Sequence, residues 1–197
     1  MSLSPAARRV CVAALDLLAD RGYDGSSLGE IARMAGMRKA SLYSHFAGKD
    51  DLVSAALEMS LSAEREFVAT CFADDRGDLP GGVYLERVTE RYRAAASLRF
   101  LLRTAYAPPL AIRESIINHY RAFLAEIDSL FRARLRGTLS EAEQDHLAQS
   151  YLGVVDSIQV ELLYGEVDSV ERRRAALWRL LTESAASSAE AASGDRA

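Results

Sequence analysis

The residues with chemistry to offer lie close together. From Ser27 to Lys49 the chain reads SLGEIARMAGMRKASLYSHFAGK, and its cations and hydroxyls gather on one short helix and the turn after it. Arg38 and Lys39 suit guanine O6 and N7 or a phosphate oxygen. Ser41, Tyr43 and His45 can donate to phosphates, contacts that fix register without reading sequence. The alternative for His45 is a polar surface position packed on the next helix. Ala40 is small enough to let a helix approach closely. Lys49 opens the following helix, where free backbone N–H groups already favour an anion.

Other chemistries lack their residues. His45, His119 and His146 are scattered, and H-E-x-x-H, C-x-x-C, G-x-S-x-G and a glycine-rich phosphate loop are all missing. The paired Glu-x-x-His motifs of a di-iron bundle are missing too. The sequence therefore predicts no enzyme, no metal and no cofactor. Cys11 and Cys71 fall inside helical patterns and read as small buried hydrophobes in a reducing compartment.

The elements around the cationic cluster follow from caps and periodicity. Ser4 with Pro5 starts a first helix to about Arg21, with Val10, Ala14, Leu17 and Leu18 as its apolar stripe and Gly22 as its stop. Ser27 and Glu30 have the spacing of a capping box for a second helix, buried through Leu28, Ile31, Ala32 and Ala35. Gly36 sits at a sharp turn that asks for a left-handed backbone. A third helix is then predicted over about 38–45, with Leu42 and Phe46 inward. This is the arrangement of a helix-turn-helix, whose second helix enters the major groove by its early residues.

Charge agrees in sign. The chain of 197 residues has a formal net charge of −4. Residues 1–50 hold seven basic groups (Arg8, Arg9, Arg21, Arg33, Arg38, Lys39, Lys49) against five acidic ones (Asp16, Asp20, Asp24, Glu30, Asp50), so the remainder carries −6. That is a basic head on an acidic body. Ala, Leu, Arg and Glu dominate and β-type alternation is nearly missing, which predicts an all-α protein. No run reaches the roughly 20 apolar residues of a membrane helix. No secretion signal opens the chain, so the expected location is cytoplasmic.

At this point the stretch resembles the DNA-binding domain of the tetracycline-repressor (TetR) family. The likeness covers residues 13–58, with I-A-x-x-A-G-M at Ile31–Met37, L-Y-S-H-F at Leu42–Phe46 and K-D-D-L at Lys49–Leu52. It implies a homodimeric, helical, ligand-responsive transcription regulator. It also implies that Ser27, Lys39, Ala40, Ser41, Tyr43, His45 and Lys49 touch DNA or lie beside it; Arg38 joins this set on its own chemistry. Gly29 departs from the pattern, because relatives can place a base-reading polar residue there.

The resulting expectation is an all-α fold of about nine helices. A three-helix DNA-binding domain (1–48) is joined by a long fourth helix to a larger ligand-binding and dimerisation domain (49–187), and residues 188–197 form a disordered tail. Helix 8, capped by Ser140 and Glu143, is apolar over most of its circumference, so one side should face its own core and another a second copy. The resemblance pairs the last two helices across the dimer, which nominates Leu147, Val154, Ile158, Leu162, Val170, Leu177, Trp178 and Leu181. A pocket for an unknown small-molecule effector is expected among Phe67, Phe100, Arg103, Tyr106, His119, Tyr120, Phe123, Tyr151, Asp156 and Gln159. Asp156, mid-way along an apolar helix, must meet an Arg or Tyr, face a polar cavity or lie at the dimer seam. The expected partner is a roughly palindromic duplex whose binding the effector relieves. The alternative is a helical ligand-binding or adaptor protein that leaves DNA alone.

Overall fold

The computed structural model describes residues 3–135 and 139–194. Among them are nine α-helices and no strand: α1 (Pro5–Arg21), α2 (Leu28–Met34), α3 (Lys39–Leu42), α4 (Lys49–Asp74), α5 (Gly82–Ala94), α6 (Ala96–Tyr106), α7 (Arg113–Leu135), α8 (Glu141–Tyr164) and α9 (Val167–Gly194). A 3-10 turn at Leu110–Ile112 follows Pro108-Pro109 and precedes α7. No helix among the described residues is long and apolar enough to cross a membrane.

The chain forms two compact units, and α4, α5 and α7 each contribute residues to both. The first comprises Met1–Arg65 and Tyr92–Arg121, the second Glu66–Arg91 and Ala122–Ala197. The first is therefore larger than a head ending at residue 48, because α6 packs along α1.

In the first unit α1 is fixed at both ends. Its Ser4 hydroxyl accepts from the Ala7 N–H at 3.2 Å, and Gly22 closes it with φ 71. The expected stripe of Val10, Ala14, Leu17 and Leu18 is buried, with Cys11 beside it. Arg103 of α6 reaches the C-terminus of α1, where one guanidinium nitrogen donates to the carbonyls of Ala19 (3.1 Å) and Asp20 (2.9 Å). A cation there satisfies carbonyls that have no partner within the helix and complements its dipole. Phe100, Leu101 and Leu102 of the same helix are buried in this unit's core.

In the second unit α8 packs on α9, and Tyr151 is fully buried. Its ring stacks on Phe131 (centroids 4.5 Å apart) and meets Phe72 and Trp178 edge-on. Its hydroxyl donates to the Gly81 carbonyl at 3.0 Å, and burial pushes the phenol well above its ordinary pKa. The loop that supplies Gly81 is organised by Asp75, a buried carboxylate accepting from the N–H groups of Gly77 (3.0 Å), Gly81 (2.9 Å) and Val83 (3.2 Å). Arg134 ties the same corner by donating to the Phe72 and Asp75 carbonyls. Ser140 and Glu143 form the complete capping box expected for α8, and those hydrogen bonds hold the Glu143 carboxyl below the usual range.

Two expectations are corrected here. Leu147, Val154, Ile158, Val170 and Leu181, nominated for a dimer seam, lie inside this chain's own core. Positions 147, 151, 154, 155 and 158 make a single stripe, and the outward face of α8 and α9 is carried instead by Gly153, Val160, Tyr164 and Leu180. Second, α9 continues through residues 188–194, expected as a tail. SAASSAEAASG is low in complexity but rich in Ala, the best helix former. Residues 195–197 lie outside the described residues. Asp156 is exposed on the outward side of α8, in keeping with the dimer-seam alternative and not with burial in this chain's core.

Gly81 has φ 93, and a Cβ built there would lie 2.4 Å from the Tyr151 ring. Gly81→Ala should therefore destabilise the protein by about 3 kcal/mol through overpacking and a disfavoured backbone, read as a lowered denaturant midpoint with unchanged slope.

Candidate nucleic-acid interface

α1, α2 and α3 form a three-helix head whose underside is apolar and whose outer edge is not. Ser27 caps α2, its hydroxyl accepting from the Glu30 N–H at 3.2 Å. The reciprocal half of the capping box is missing, because the Glu30 carboxylate turns to Arg21 at 2.8 Å. After α2 the Gly36 N–H donates to Arg33 O (3.1 Å) and the Met37 N–H to Ala32 O (2.9 Å), a reversal that places Gly36 at φ 69.

α3 is shorter than the 38–45 expected. It holds only Lys39–Leu42, with Arg38 at its N-cap and 43–45 in turns that still point N–H groups back at Lys39, Ser41 and Leu42. Leu42 and Phe46 are buried at 0% and 3% exposure. Between and around them Ser27, Arg38, Lys39, Ala40, Ser41, Tyr43 and His45 are all exposed. The side chains of Arg38, Lys39 and Tyr43 have no hydrogen-bond or ion-pair partner among the described residues, whereas Ser44 spends its hydroxyl on Ser41 O. The aliphatic stem of Lys39 runs over Gly29, where an added Cβ would stand 3.9 Å from Lys39 Cδ. That distance is an ordinary van der Waals contact, so the Lys39 stem does not depend on glycine at this position.

Lys49 is placed differently from its expected role. Its ammonium donates to the Tyr23 carbonyl and stands 4.0 Å above the centroid of the same tyrosine's ring. The Tyr23 hydroxyl in turn donates to Asp50. One of the ammonium's three donors is therefore committed within the chain, joining the turn after α1 to the start of α4. Sequence reasoning missed Tyr23, whose only signal was an aromatic after the helix-ending glycine. Asp51 completes this corner by accepting from the Ala47 N–H at 2.9 Å.

The residues nominated for an effector pocket divide between the units. Phe100, Arg103, Tyr106, His119 and Tyr120 belong to the first; Phe67, Phe123, Tyr151, Asp156 and Gln159 belong to the second. Tyr106 and Tyr120 meet edge-on at 6.1 Å. His119 bonds the carbonyl of Ser115 on its own helix at 2.7 Å. Phe67 carries the Arg91 guanidinium 5.1 Å over its ring and lies against Tyr84. Phe100 and Phe123 are buried, and so is Gln159. Arg103 is corrected from pocket residue to the cap of α1, and Tyr151 to the aromatic core of its unit. Of the seam candidates, Leu162, Leu177 and Trp178 are half-buried.

A short exposed helix fronted by cations, seated on two buried apolar residues and preceded by a glycine turn, has the geometry of a helix-turn-helix. Residues 11–56 match the family described as "Bacterial regulatory proteins, tetR family". Over 49 residues it is 45% identical to the HTH-type transcriptional regulator AcrR of Shigella flexneri, a match covering 25% of this chain and 23% of that protein. It is 28% identical over 152 residues to the HTH-type transcriptional repressor KstR2 of Rhodococcus jostii (strain RHA1), covering 72% of this chain and 67% of that one. The fold extends over nearly the whole length. The structure of the transcriptional regulator FadR from Bacillus subtilis in complex with stearoyl-CoA superposes with a TM-score of 0.69 at 14% identity, over 88% of this chain and 96% of that one.

The bond to Asp50, with burial, raises the Tyr23 pKa to about 12 from its ordinary 10. The neutral phenol is the stabilised form, so its contribution is complete below pH 10 and is lost as pH rises through 12. The stability difference between wild type and Tyr23→Phe, measured by urea unfolding, should accordingly be present at pH 8 and shrink above pH 11.

Proposed function

We propose that the chain is a cytoplasmic homodimeric transcriptional repressor whose hold on a roughly palindromic operator is relieved by a small-molecule effector. The observation that carries this reading is the seating of α3. Leu42 and Phe46 are spent on the core, so Arg38, Lys39, Ala40, Ser41 and Tyr43 are left together on one exposed edge. Ala40 lets the helix in, Arg38 and Lys39 meet base edges or phosphates, and the hydroxyls set register. Lys49, held over Tyr23, offers its remaining N–H groups to the phosphate beside the start of α4.

Two copies are needed because one four-residue helix spans too few base pairs for a unique operator. A two-fold dimer presents two such helices to half-sites about one helical turn apart or a multiple of that. Val160 (36%), Tyr164 (75%) and Leu180 (57%) are large apolar side chains exposed on α8 and α9, and Gly153 leaves open space beside the helix axis. This is the face we assign to the second copy. The effector reading rests on the relative described in complex with stearoyl-CoA. The effector acts only if it binds the DNA-incompetent conformer better than the competent one.

Selection of binding sites from random duplexes should return an inverted repeat. Lys39→Ala should weaken binding to it by about 10- to 100-fold and relax preference at one position per half-site. Lys49→Ala should weaken all sequences alike and flatten the salt slope by about one unit. Failure to bind any duplex, or binding indifferent to salt, would instead favour the adaptor reading.

The subunit contact is tested separately. Val160→Glu combined with Leu180→Glu should give a monomer in sedimentation equilibrium with unchanged helicity. Operator affinity should then fall by at least ten-fold at concentrations where wild type is dimeric. Because both positions are exposed in a single chain, a loss of fold is not expected.

A further inference from the structure

The second unit contains a cavity that none of the residues nominated for the effector lines. Its volume is about 540 Å3, and Leu79, Leu135, Leu147 and Trp178 supply its apolar wall, with Ala185 beside them. From these residues we propose that the cavity is a second small-molecule site, selective for a compact, uncharged, largely apolar ligand.

The walls are fixed before any ligand arrives. Leu79 sits in the loop that Asp75 holds by three backbone N–H groups. Arg134, at the rim, is pinned to the carbonyls of Phe72 and Asp75. Trp178 is wedged against Gly82, where a Cβ would come within 2.9 Å of the indole, and its edge meets Tyr151. A site of this size with a rigid aromatic wall falls in the range that small ligands use.

The rim decides the ligand's charge. Among the described residues that line the cavity there is one cation, Arg134, and one anion, Asp78. The guanidinium already donates to two carbonyls, and the carboxylate offsets its charge. A charged ligand would give up its hydration and find no excess of opposite charge in return. A neutral molecule gives up little and covers the part-exposed surface of Leu139 and Trp178.

The test uses Trp178, the only tryptophan in the sequence. Full-length protein is titrated with N-phenyl-1-naphthylamine, which is neutral, and with its anionic relative 1-anilinonaphthalene-8-sulfonate, while tryptophan emission is followed. The neutral dye should quench Trp178 saturably with one site per chain, and the sulfonate should bind at least ten-fold more weakly. Ala185→Phe, which fills the cavity, should weaken the neutral dye by ten-fold or more at unchanged helicity and melting temperature. Ala186→Phe lines the same space and serves if the first variant misfolds. Quenching that does not saturate, survives both fillings or is equally strong with the sulfonate overturns the proposal. So does absent dye binding with filling variants that change the sedimentation coefficient, since the space would then belong to a contact between copies. None of these outcomes depends on DNA binding, so the site and the regulator reading stand or fall separately.

Discussion

A helix of four residues cannot hold itself together. Isolated helices below about 12 residues are marginal even with favourable composition, because nucleation fixes several dihedrals for each early hydrogen bond. α3 persists because Leu42 and Phe46, four apart, are driven into the core beneath it. Everything that makes the head a candidate DNA reader depends on that burial. The cationic edge is exposed because the opposite edge is not, and the glycine turn at Gly36 sets the angle at which the two short helices share one apolar underside.

The second unit is held by a different device. Asp75 gathers three N–H groups of one loop, Tyr151 donates to that loop's Gly81 carbonyl, and Arg134 ties the carbonyls at the end of α4. A buried carboxylate satisfied by backbone donors is a safe way to shape a loop, since every lone pair facing the interior has a partner. Close approach does the rest. Gly81 and Gly82 are the two places where a side chain would collide with Tyr151 or Trp178, and the aromatic cluster fills the room they leave.

Local signals in the sequence were legible, and long-range ones were not. Ser4, Ser27, Gly36 and the Ser140–Glu143 box each act within four residues and each could be read in advance. The all-α class followed from composition and periodicity. Lys49 was legible as a cation at a helix start, but its partner Tyr23 lies 26 residues away, and no spacing rule joins them. Arg103 was grouped with an apolar pocket because it neighbours aromatics in sequence. Its real partners are carbonyls of α1 more than eighty residues distant. Asp75 sits in the sequence among Asp74, Arg76 and Asp78, and nothing local distinguishes a buried hub from a solvated loop. The apolar residues of α8 were overcounted as two faces because their period was not separated from the outward Gly153, Asp156, Val160 and Tyr164.

The first unit is assembled from two stretches, Met1–Arg65 and Tyr92–Arg121, and this limits how far the reading head can be treated as a detachable module. A chimaera that takes only the first stretch and splices it to a foreign body leaves behind Phe100, Leu101 and the guanidinium that closes α1. Two carbonyls at that helix end would then face whatever the new host supplies. Transplanting this specificity therefore means moving α6 along with the three short helices, so the transferable unit is discontinuous in the gene even though it is compact in space.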